Sequence, residues 1–204
     1  MALDALSPDG INLKFDQQHT AGGDMKFSSL EEFEKTFPPQ YNLYYPDTGD
    51  GPGVSYDILM KILPEPASRI YSGKKEFELR KYVPKHTGLL FLLEGRDEPA
   101  VTGAFYFFDY IADTISGLWQ KVGERATKRE RFDKYFAGKD YGVALEIFDF
   151  ERCHAPMPIS TAYDLCPDMP RLPQPLVYMY IPVGSNLSNL LRAQVPHLVA
   201  RRGR

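Results

Sequence analysis

Leu89-Leu90-Phe91-Leu92-Leu93 is an unbroken apolar run. It falls far short of the ~18 apolar residues that a membrane span requires. It has no polar side for a surface helix to show. It reads as a central strand, and the chain must supply a sheet around it. The neighbouring segments provide one. Tyr56 to Ile62 reads as a strand with one face buried, and Glu76 to Tyr82 alternates as a half-buried strand. Val101 to Ile111 reads as one long strand in which Gly103 marks a bulge or a close backbone approach. Tyr141 to Phe150 alternates again, and Leu176 to Ile181 is a last strand.

Helices are few between these strands. Pro64 to Ser72 predicts a short one, with proline in its first turn, Ala67 and Ile70 inward, and Gly73 as its stop. Ile115, Leu118, Trp119 and Val122 share one helical face. Thr127-Lys128-Arg129-Glu130 predicts a capping box opening a helix with Phe132, Tyr135 and Phe136 inward and Gly138 at its end. Pro156 to Pro175 carries six prolines and reads as a loop. Asn186 to Val199 predicts a C-terminal helix broken at Pro196. The order β-α-β-β-β-α-α-β-loop-β has too few helices for a doubly wound parallel sheet. It predicts an α+β, mainly β fold: a small antiparallel barrel with flanking helices.

The first 54 residues have a different texture. They are rich in Gly, Pro, Asp and Gln, and one helix after Ser28-Ser29, closed by Pro38-Pro39, is expected within them. Residues 1–57 carry three Lys/Arg and ten Asp/Glu, a balance of −7, whereas residues 58–204 carry 21 and 17, a balance of +4. The expected organisation is an acidic extension over 1–54, a domain over 55–182, and a C-terminal helix with a basic tail over 183–204. The acidic extension is a candidate contact for a protein partner, or for the chain's own basic runs. At 204 residues the chain can bury a core without disulfides or metal. Its 43% apolar content excludes wholesale disorder. The start, MALDALSPDG, lacks the pattern of a signal peptide, and only Cys153 and Cys166 occur. A reducing, cytoplasmic setting is expected, with no membrane partner.

Four stretches resemble the ASCH domain of the PUA-like superfamily. Ile70-Tyr71-Ser72-Gly73-Lys74-Lys75-Glu76-Phe77-Glu78-Leu79-Arg80 fits its G-x-K-x-x-E-x-R motif. Val101 to Phe105 resembles its long central strand, Tyr135 to Leu145 a strand entry, and Leu172 to Tyr178 its closing strand. The resemblance covers about residues 56–181. It implies a β-barrel with a cleft beside the motif, and RNA, a nucleotide or a modified nucleoside as ligand. Some relatives hydrolyse acetylated cytidine and some are reported to cut RNA. The amidohydrolases look to use a Lys of this motif, a Thr three residues on, and a Glu on the long strand. Lys75 matches the first, but Glu78 and Ala104 stand at the other two positions. Acetylcytidine hydrolysis is therefore not expected.

The residues point to chemistry of their own. Glu78 and Arg80, two apart on a strand, share a face, while Phe77 and Leu79 share the other. A carboxylate beside a guanidinium holds it for a phosphate or a base edge, or forms a structural ion pair; both readings stand. Lys74, Lys75 and Lys81 offer mobile charges for phosphates, and Tyr71 a stacking surface. Lys75, Glu78, Arg80, Lys74, Lys81 and Tyr71 are thus the candidate nucleic-acid contacts. Lys75 and Glu78 are also the candidate base and acid if the protein is a hydrolase. Lys121 to Lys139 adds seven basic residues, a phosphate track or a solvated face. His19, His86, His154 and His197 are scattered, so neither a catalytic triad nor a metal site is expected, and no cofactor.

Overall fold

The structure is a computed structural model, and it describes residues 55–169, 172 and 178–201. The acidic extension, the closing-motif residues 173–177 and the end of the basic tail lie outside the described residues. The described residues form eight strands: β1 (Tyr56–Ile62), β2 (Phe77–Arg80), β3 (Gly88–Glu94), β4 (Ala100–Phe107), β5 (Tyr110–Thr114), β6 (Tyr141–Glu146), β7 (Phe148–Pro158) and β8 (Tyr178–Pro182). The helices are α1 (Pro64–Tyr71), α2 (Ile115–Ala126), α3 (Arg129–Tyr135), α4 (Ile159–Leu165), α5 (Asn186–Arg192) and α6 (Pro196–Arg201).

The strands form two sheets instead of the closed barrel expected. The larger runs β7-β4-β3-β1-β8 and the smaller β2-β6-β5. Two places where the sequence reads one strand hold two. Val101 to Ile111 breaks after Phe107, so that β4 stays in the large sheet while β5 pairs with β6. Tyr141 to Phe150 breaks at Ile147, so that β6 and β7 also part. Each break hands the chain from one sheet to the other. β1 and β3 are parallel, since α1 and β2 cross between them; their other neighbours in the large sheet are antiparallel.

Apolar burial follows this layering. Ile58, Met60, Leu90, Leu92, Phe105 and Phe107 of the large sheet meet Val143 and Leu145 of the small one. The outer face of the large sheet packs Leu59, Phe91 and Ala104 under Ala162, Leu191 and Leu198 of α4, α5 and α6. The outer face of the small sheet packs Phe77, Leu79 and Ala144 under Leu118, Val122 and Phe132 of α2 and α3. β3 is thus buried on both faces, as its apolar run requires. β1 and β2 are buried on both faces too, where the sequence predicts half-burial. Lys128 stands at the N-cap of α3 without a side-chain bond, while Thr127 closes α2, so the predicted capping box does not form. Within the proline-rich stretch, the end of β7 and α4 are ordered elements, not loop.

One buried ion pair joins β1 to α5. Asp57, fully buried, accepts from Arg192 Nε at 2.8 Å and from its NH2 at 2.7 Å, and from Ser188 Oγ at 2.7 Å. The Asp57 bonds hold the Arg192 guanidinium above its ordinary pKa. Gly103 explains itself by contact. A Cβ there would lie 2.5 Å from the Glu151 carbonyl oxygen and 2.7 Å from the Tyr71 ring. The register of β4 against β7 shifts at this point, as the sequence anticipates.

Candidate functional site

The motif begins where α1 ends. Gly73, at φ +67°, reverses the chain, with its N–H on the Ile70 carbonyl and the Lys74 N–H on the Arg69 carbonyl. No atom crowds the space of a Cβ there, so the requirement is the backbone angle itself. Lys74 is left exposed and Lys75 turns inward, 6% exposed. Lys75 Nζ donates to the Ala126 carbonyl at 3.2 Å, the C-terminal end of α2, where a cation suits the helix dipole. It also lies 3.3 Å from Glu78 Oε2.

β2 then aims the remaining charges. Glu78 pairs with Leu145 and Arg80 with Val143, so both face the core between the sheets. Glu78, 5% exposed, meets Arg80 NH2 at 3.0 Å through Oε1. Arg80 NH2 also donates to the Lys61 carbonyl of β1 at 2.9 Å and so bridges the two sheets. Burial works against the Arg80 charge, but Glu78 and the nearby Tyr135 and Tyr178 phenols outweigh it and raise its pKa. Among the described residues, Arg80 Nε donates no hydrogen bond and Glu78 Oε2 accepts none.

Two tyrosines from distant segments complete the surroundings. Tyr178 Oη donates to the Tyr82 carbonyl at 2.9 Å, and burial pushes its phenol well above the ordinary value. The Tyr135 phenol is pushed up by burial in the same way, although the residue keeps 38% of its exposure. The Lys81 ammonium stands 5.3 Å from the Tyr135 ring centroid. Sequence reasoning placed Tyr135 in the core and gave Tyr178 no role. The signal was present, since Tyr135 opens and Tyr178 closes a stretch that resembles the ASCH pattern.

The six candidate residues therefore divide. Lys75, Glu78 and Arg80 form one enclosed cluster, with Lys74 and Lys81 flanking it. Tyr71 belongs elsewhere: its hydroxyl bonds Thr102 Oγ1 at 2.7 Å, Thr102 donates to Glu94, and Arg152 lies over its ring. Burial raises the Tyr71 phenol pKa. Ala104 lies on the outer face of the large sheet, away from Lys75, so a carboxylate at that position would not complete a site there. A cavity of about 310 Å³ opens on that outer side, lined by Cys166, Met169, Met179, Ile181 and Leu187 among others. His154 and His197, far apart in sequence, come together with Glu151, contrary to the scattered arrangement expected.

No family model matches the chain, and no curated protein matches it significantly. Among solved structures, ASCH from Zymomonas mobilis is similar at a TM-score of 0.57 and 20% identity, covering 67% of this chain and 94% of that one. Two mutant forms of the same Zymomonas mobilis protein give the same TM-score of 0.57. Human THYN1 protein, in complex with 5-methylcytosine-containing DNA, is more distant, at 0.42 and 14% identity over 69% of this chain and 98% of that one. The chain has the ASCH fold. None of the helices built from described residues is long and apolar enough to cross a membrane.

Proposed function

We propose that this protein binds RNA or a nucleotide beside Arg80, where β2 meets the end of β1. The observation that carries this reading is the hydrogen-bonding capacity left over in a buried charged cluster. Among the described residues Arg80 Nε has no hydrogen-bond partner, whereas Glu78 Oε2 has the Lys75 ammonium at 3.3 Å, and a buried donor left unpaired is costly. The Arg80 Nε–H is a donor of the kind that meets a base edge or a phosphate oxygen. Tyr135 offers an exposed ring for stacking. Lys81 above that ring and the exposed Lys74 supply charge for phosphates.

A hydrolase acting on RNA or a modified nucleoside would draw on Lys75 and Glu78. Both are enclosed and engaged with each other, and Lys75 also with the Ala126 carbonyl. Binding is accordingly the reading carried forward. The test is anisotropy of labelled single-stranded and duplex RNA with the intact chain, with free nucleosides as competitors. Saturable binding with the RNA recovered intact supports the proposal. RNA cleavage supports the hydrolase, and absence of binding to every probe removes both.

A further inference from the structure

Glu151 and His154 lie on β7 and His197 on α6, and their ligand atoms all fall within 4.8 Å of one another. Alternation along a regular strand would send residues 151 and 154 to opposite faces. β7 is irregular here. Gly103 pairs with Arg152 and Val101 with Met157, so Cys153 to Pro156 stand opposite the single residue Thr102. The extra residues let His154 swing to the side of Glu151. α6 is docked on the same stretch. Glu151 accepts from the backbone N–H of His197 at 3.4 Å and from that of Leu198, and Arg201 is paired with Asp149.

We propose that Glu151, His154 and His197 form a binding site for a divalent transition-metal ion of the zinc type, with water as the fourth ligand. Two imidazoles and one carboxylate suit zinc, and suit magnesium or calcium poorly. Bonds of about 2.0–2.1 Å in a tetrahedral site need donor atoms roughly 3.3–3.4 Å apart. The two histidines are exposed, with ring centroids 6.4 Å apart, and side-chain rotation can close the difference. Glu151 is already oriented by its backbone donors, the kind of outer-shell support that metal-ligating carboxylates have. Asp149 offsets the charge of Arg201 on α6. Neither cysteine is needed. A metal here joins β7 to the last helix.

The test uses the tag-free full chain, stripped with chelator and desalted. Zinc titrated by calorimetry is expected to bind at one equivalent. His154→Ala and His197→Ala are each expected to weaken that binding by at least ~10-fold, while His86→Ala leaves it unchanged. Circular dichroism confirms that the variants fold. Cobalt(II) added to the unsubstituted chain is expected to give visible absorption bands without a thiolate-to-cobalt charge-transfer band, and this readout needs no variant. Absence of saturable zinc binding, unchanged affinity in both histidine variants, or a thiolate band would each overturn the proposal.

Discussion

Glu78 and Arg80 stand two residues apart on one face of β2 with their charged groups 3.0 Å apart, and the other Glu78 oxygen lies 3.3 Å from Lys75. One carboxylate thus serves two enclosed cations. Glu78→Ala would leave both without a counterion in a buried setting. Removing one partner of a buried pair typically costs about 3–5 kcal/mol. Urea unfolding is expected to show a loss of that order, and a loss under ~1 kcal/mol would mean that water already solvates the cluster.

The Asp57–Arg192 pair ties β1 to α5 through two parallel hydrogen bonds. Arg192→Ala leaves Asp57 buried with Ser188 as its one donor among the described residues and is expected to cost about 3–5 kcal/mol. Arg192→Lys is expected to recover only part of this, because an ammonium cannot reproduce the two-pronged contact. Equal stability of the Lys and Arg proteins in urea would contradict this geometry.

At Gly103 the constraint is space. Gly103→Ala would press a methyl against the Glu151 carbonyl and the Tyr71 ring. Overpacking of this kind costs about 1–3 kcal/mol. A thermal midpoint unchanged from the parent would show that β7 and Tyr71 move aside freely.

Alkaline pH provides another test. Burial pushes Tyr110 from 10.0 up to about 12, and Cys153 from 9.0 up to about 11, with Glu151 adding to the Cys153 shift. Both groups lose their protons more readily in the unfolded chain. Their contribution to stability is complete below the unfolded values, and it is lost as pH rises through the folded ones. The urea midpoint is expected to fall across the window from 9.0 to about 12. A flat or rising midpoint there would show that neither group is shielded.

Local residue patterns made part of the fold legible. The bounds of β1, α1 and β3 follow from apolar runs, a proline start and Gly73. The parting of β4 from β5 was not legible, because the apolar residues continue through Phe107 and Phe108 and period-2 alternation marks no break. In the site, strand alternation alone brings Glu78 and Arg80 onto one face. That this face turns inward depends on Val143 and Leu145, which pair from a remote strand. Tyr135, Tyr178 and the meeting of His154 with His197 are products of tertiary packing, invisible to spacing.

The measurement closest to the central claim is the salt dependence of RNA binding by the intact chain and by a Lys74→Ala/Lys81→Ala variant. Both lysines lie outside the enclosed cluster, so the variant should fold. Each phosphate contact contributes about 0.7–0.9 to the slope of log affinity against log salt. The account predicts that single-stranded RNA binds the intact chain, more weakly as salt rises. It also predicts that the variant binds less tightly at low salt, with a slope shallower by roughly 1.4–1.8. Identical affinity and slope for the two proteins, or no RNA binding by the intact chain at low salt, would contradict it.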